Sequence, residues 1–158
     1  MPTRFIIYLV LTLVVSSSLG YLQKRTALPE SESMDPVSLG REVYVSEGCI
    51  HCHSQYVRPV GADRELWGPP TSVETALSQV PVLIGNRRQG PDLANTGLRR
   101  DEVWNRLNLM NPSTLVPESR MPSYRHLFED DGRCGEALLA YLNSLRPPPL
   151  ENYESRKR

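Results

Sequence analysis

Hydrophobic positions along this chain form one long apolar run and three helical periods, separated by polar, proline-rich stretches. The run covers residues 5 to 15, "FIIYLVLTLVV", and stays uncharged through "SSSLGYLQ" as far as Lys24 and Arg25. Residues 37 to 48, "VSLGREVYVSEG", predict a first helix, with Pro36 near its first turn and Gly48 as its stop. Val37, Gly40 and Tyr44 lie close to one face, and Gly40 leaves room for another helix to approach. Residues 101 to 110, "DEVWNRLNLM", predict a second helix with acidic residues in the first turn, where they suit the dipole. Its apolar stripe is Val103, Trp104, Leu107 and Met110. The third helix, 135 to 145, "GEALLAYLNSL", repeats Leu138, Tyr141, Leu142 and Leu145 at i, i+3, i+4 and i+7, and Pro147 to Pro149 end it. No strand-period run stands out, so the chain is expected to be all-α.

The apolar run divides the chain into parts. About twenty apolar residues cross a bilayer as a helix, so residues 1–23 predict a transmembrane anchor. The competing reading is a secretory signal, with Arg4 as a basic n-region and Ser18-x-Gly20 as small residues at a cleavage site. Lys24 and Arg25 outnumber Arg4, so charge leaves the orientation open. Residues 24–36 read as a polar linker, 37–146 as the folded domain, and 147–158 as a Pro-rich, basic tail.

Charge removes one class of partner. The 158 residues carry 18 Lys and Arg against 18 Asp and Glu, with no basic stripe, which excludes a nucleic-acid-binding surface. The domain poses a packing problem, because segments 54–100 and 111–134 are long and rich in Pro, Gly and Arg. Three short helices joined by such loops bury too little to offset the entropy of ordering them. A large apolar body inside would resolve this.

"CIHCH", Cys49 to His53, points to such a body. In a C-x-x-C-H motif two thiols on one turn bond a porphyrin edge and the next imidazole reaches the iron, which predicts a covalent haem c held by Cys49, Cys52 and His53. A zinc site would need Cys49 and Cys52 with His126 and Cys134, whose spacing makes no recognised second knuckle. A redox dithiol would want a βαβ setting, which is missing. Cys134 is then left as a free thiol, and His51 as a spacer. Met121, on the proline-bounded loop "SRMPSY", is the expected sixth ligand, with Met110 as a rival on a helix stripe. His/Met ligation favours electron transfer over oxygen activation. The Pro91 carbonyl in "GPDL" is the expected acceptor for the His53 ring proton. Arg87 and Arg88 are expected to neutralise haem propionates.

With these residues in place, the domain resembles a class I cytochrome c. The strings "GREVYVSEGCIHCHSQYVRP", "RRQGPDLANTG" and "NPSTLVPESRMPSYRHLF" are more specific. They resemble the FixO/CcoO-like, membrane-anchored monohaem cytochrome c subunit (subunit II) of cbb3-type, C-family haem-copper oxidases. The resemblance runs from about Gly40 to Phe128, after which the chain goes directly to "EDDGRCGEALLAYLNSL" where the family carries a longer extension. It implies a class I cytochrome c fold of three main helices and long loops around one haem, with Gly40 and Tyr44 packed on Tyr141 and Leu142. It implies a single-pass protein of the bacterial cytoplasmic membrane, its haem domain on the periplasmic side. It also implies a non-catalytic subunit that relays electrons to a catalytic haem-copper oxidase subunit, fed by further cytochrome c subunits or a soluble cytochrome. The alternatives are an independent membrane-tethered carrier and a haem sensor in which Met121 dissociates. A linker of about a dozen residues spans on the order of 20 Å, which favours a docked subunit over a ranging carrier.

Overall fold

Asp35 starts the first helix. Its Oδ1 accepts from the backbone N–H groups of Val37 and Ser38 at 3.0 and 3.1 Å, and Pro36 opens helix α1, Pro36–Ser46. Gly48, at φ 72°, turns the chain out of the helix into a 3₁₀ turn at Cys49–His51. This computed structural model describes residues 8, 11–14, 16, 34–85 and 88–147. The chain divides into two compact units, residues 1–34 and 35–158.

In the first unit, Tyr8, Leu11 to Val14 and Ser16 are helical, with exposed side chains. Most of the expected anchor and linker lies outside the described residues, as does the tail beyond Pro147. Among the described residues no helix is long and apolar enough to cross a membrane.

In the second unit every regular element among the described residues is helical, as the periodicity predicts. After α1 come α2 (Gly61–Trp67), α3 (Val73–Leu77), α4 (Thr96–Arg99), α5 (Glu102–Met110), α6 (Pro112–Leu115), a 3₁₀ turn (Arg125–Phe128) and α7 (Arg133–Ser144). The long loops therefore carry α2, α3, α4 and α6, each of at most two turns and too short for a periodicity to register.

Helices α1 and α7 pack against each other as the principal pair. A Cβ on Gly40 would lie 1.9 Å from the Ala137 carbonyl oxygen and 2.7 Å from Tyr141 Cβ, so the crossing depends on the missing side chain. Tyr44 and Tyr141 meet with ring centroids 5.6 Å apart, and the Tyr141 hydroxyl donates to Gln55 Oε1 at 2.9 Å. The core joins Val43, Tyr44 and Cys49 to Leu109, Leu127, Leu138, Leu139, Tyr141 and Leu142, with Leu83 contributed by the long loop.

Helix α5 departs from its expected face. Asn105 and Leu109 are its buried residues, while Val103 is 67% and Leu107 45% exposed. The reason is polar: Asn105 Nδ2 donates to Asn143 Oδ1 of α7 at 3.2 Å, and Arg106 bridges to Glu136 of α7 at 2.5 Å, so both ties turn the helix about its axis. Val103 and Leu107 are left uncovered by protein.

Candidate haem site

The C-x-x-C-H residues leave α1 through one tight turn. Cys52 N–H and His53 N–H both donate to the Cys49 carbonyl, at 3.2 and 2.9 Å, which places the two thiols one turn apart with the imidazole directly after them. All three cysteines are free thiols. Burial, first of all, pushes the Cys49 thiol up to about 11.

Residues 52–56 and 90–94 are held side by side. Gly90 N–H donates to the Cys52 carbonyl at 2.9 Å and Leu93 N–H to the Ser54 carbonyl at 2.8 Å. Between them His53 Nδ1 meets the Pro91 carbonyl at 2.8 Å. A carbonyl only accepts, so Nδ1 carries the proton. Burial lowers the His53 pKa, against the opposing effects of Pro91 and Asp92. Burial therefore favours the neutral ring, whose Nε2 lone pair is then available, as a metal ligand requires. The ring lies against Gly90, where a Cβ would stand 2.3 Å from His53 Cε1.

Met121 packs on the core cluster that contains Cys49, and Asn108 Nδ2 of α5 donates to its sulfur at 3.4 Å. Met110, at the end of α5, has its carbonyl accepting from Ser123 Oγ at 2.7 Å. Arg87 lies outside the described residues.

Arg88 is engaged by protein. Its Nε donates to Ser54 Oγ at 2.9 Å, its Nη1 to Asp63 at 2.5 Å, and its Nη2 to the Tyr56 carbonyl. Its guanidinium also lies 4.8 Å from the Trp67 ring centroid. Asp63, which Arg58 bonds as well, is held well below the usual carboxylate range, chiefly by Arg58. Arg99 contrasts with Arg88. It donates to the Asp92 carbonyl, its buried Nε has no partner among the described residues, and burial lowers its pKa.

The zinc alternative loses its ligand set. His126 Nε2 lies 3.1 Å from Glu47, Cys134 is exposed at the start of α7, and no group of three or more His, Cys, Asp or Glu that could hold a metal occurs among the described residues. The residues present do fit a haem: paired free thiols on one turn, a neutral imidazole with one nitrogen fixed, and a soft thioether held by an amide.

The sequence-family model for FixO, described as the mono-heme subunit of cytochrome c oxidase, matches residues 2–146. The chain belongs to the FixO family. It is thus a mono-heme cytochrome c oxidase subunit. No match is found among curated proteins.

Sequence reasoning missed Asn108, Ser54, Asp92 and Arg99 at this FixO site. Asp92 stands inside "GPDL" beside the residue that was singled out, and its type, an acid among long loops, gave a usable signal. Asn108 and Arg99 gave none, because their roles depend on how α5 and α4 are turned.

Proposed function

We propose that this FixO subunit is a membrane-anchored, c-type electron relay that passes electrons to the catalytic subunit of a haem-copper oxidase. Cys49 and Cys52 would hold a haem through thioether bonds, and His53 Nε2 and the Met121 sulfur would bind its iron. When bound, the haem supplies a one-electron couple. The observation that carries this reading is the 2.8 Å contact between His53 Nδ1 and the Pro91 carbonyl, because it fixes the tautomer that leaves Nε2 for iron.

The protein's own groups prepare the site. Asn108 holds the Met121 thioether in place, so little rearrangement accompanies a change of charge. Leu107, next to Asn108 and 45% exposed, suits an apolar macrocycle as its cover. Propionate neutralisation falls to Arg99 in place of Arg88, since Arg88 already faces Asp63 and Asp92 whereas the buried Arg99 Nε has no partner among the described residues. Residues 1–23 form the anchor, the haem domain faces the periplasm, and the donor is another cytochrome c. Leu66, Leu77 and Val80, between 59% and 83% exposed, suit burial against a larger membrane subunit.

The test is a reduced-minus-oxidised visible spectrum of the detergent-solubilised complex that copurifies with the chain. A c-type α-band with b-type bands, at stoichiometric yield, is expected. A c-type band on a chain that purifies alone contradicts the docked relay and favours the tethered carrier.

A further inference from the structure

Asp92 is completely buried, and nothing in the relay described so far requires a carboxylate there. It follows Pro91, so the peptide whose carbonyl accepts from His53 joins Pro91 to Asp92. Its Oδ2 accepts from Ser54 Oγ at 2.6 Å and from Tyr56 N–H at 2.9 Å. Its Oδ1 accepts from Ala94 N–H at 2.9 Å. Ser54 and Tyr56 lie on the segment that leaves His53, whereas Ala94 lies on Asp92's own segment. The side chain therefore bridges the two segments whose separation sets the His53–Pro91 bond. Arg99 also donates to the Asp92 carbonyl.

The charge is also managed. Arg88 Nη2 approaches Asp92 Oδ2 at 3.5 Å while its Nη1 bonds Asp63, and Arg58 completes the chain of alternating signs. Desolvating a carboxylate is costly unless it is paired and hydrogen-bonded, and here both conditions are met. A neutral side chain could tie the loops without that cost, so the retained charge suggests an electrostatic task.

We propose that Asp92 is a positioning residue for His53: it orients the Pro91 carbonyl against Nδ1 and sets a fixed negative charge behind the imidazole. A well-placed acceptor makes a ligating imidazole more basic, and a nearby negative charge favours the ferric over the ferrous state. Both effects lower the reduction potential. The inference rests on the reading of His53 as a haem ligand.

Asp92→Asn tests it. An amide replaces one oxygen by a donor, which must face either Tyr56 N–H or Ala94 N–H, so at least one bond is lost together with the charge. The variant is prepared in the full oxidase complex, and the c-haem is titrated potentiometrically at its α-band and examined by EPR in the ferric state. A severalfold higher ferrous-to-ferric ratio at a fixed ambient potential, with altered g-values, is expected; a tenfold change corresponds to 59 mV for one electron. An assembled variant with wild-type potential and g-values overturns the proposal. Should Asp92→Asn fail to assemble, Ser54→Ala decides, since it removes the Ser54 bonds to Asp92 and Arg88 and keeps the Asp92 charge: altered g-values support the proposal and unchanged ones overturn it. Haem staining of the wild-type chain separates the two readings, because an unstained chain overturns the assignment of His53 itself and the inference with it.

Discussion

Gly90→Ala places a methyl group where the structure has none to spare. The new Cβ would lie 2.3 Å from His53 Cε1, 2.7 Å from Nδ1 and 2.9 Å from Nε2, all far inside van der Waals contact. Gly90 keeps an ordinary negative-φ backbone, so the penalty is one of contact rather than of conformation. The ring cannot simply swing away, because its Nδ1 is held by Pro91. Overpacking of this kind costs about 1–3 kcal/mol and the lost hydrogen bond about 0.5–1.5 kcal/mol. Gly61→Ala is the control: nothing lies within 4 Å of its Cβ, so it should show only the gain of about 0.4–1 kcal/mol from a stiffer unfolded chain. That gain is common to both variants, so they should differ by about 2–4 kcal/mol. With a urea slope of about 1–3 kcal/mol/M, the midpoints of the two full-length chains should separate by roughly 0.7–4 M. Equal midpoints would refute the packing of His53 on Gly90.

Other consequences follow from the same geometry. Met121→Ala should leave the haem covalently attached but lower its potential and let the reduced protein bind CO, read in the visible spectrum; an unchanged potential would exclude Met121 and return attention to Met110. On the proposed attachment only Cys134 is left outside the thioether pair, so mass analysis after alkylation under denaturing conditions should find one label per chain, and three labels would contradict covalent attachment. Glu136 has its pKa lowered, chiefly by the hydrogen bond from Arg106, so its contribution is present above the usual carboxylate range and is lost as pH falls through the depressed value. Glu136→Gln should therefore cost under about 1 kcal/mol at pH 7 and nothing measurable well below that range; a pH-independent cost would contradict the ion pair.

What the sequence made legible was whatever is carried by short-range pattern. The i, i+3, i+4 repeat in "GEALLAYLNSL" located α7 within two residues at its start and one at its end, and Pro36 and Gly48 bracketed α1. The glycine at position 40 announced a close helix crossing, and the structure supplies its partners, Ala137 and Tyr141. Pairing across long loops was not legible. That Arg88 turns into Asp63 and Asp92 depends on where α2 lies, and α2 is a seven-residue helix without a side-chain cap to mark its start. The face of α5 failed for a related reason. Hydropathy assigned Val103 and Leu107 to the core, whereas the Asn105–Asn143 bond turns the helix the other way, an effect no single-helix pattern contains.

The central claim is that Cys49 and Cys52 hold a haem covalently. Its most direct test is acid–acetone extraction of the purified chain, followed by haem staining on a denaturing gel. The account predicts that the colour and the c-type α-band stay with the polypeptide and disappear in Cys52→Ser but not in Cys134→Ser. Haem that extracts freely from the wild-type chain, or a chain that never carried any, would contradict it.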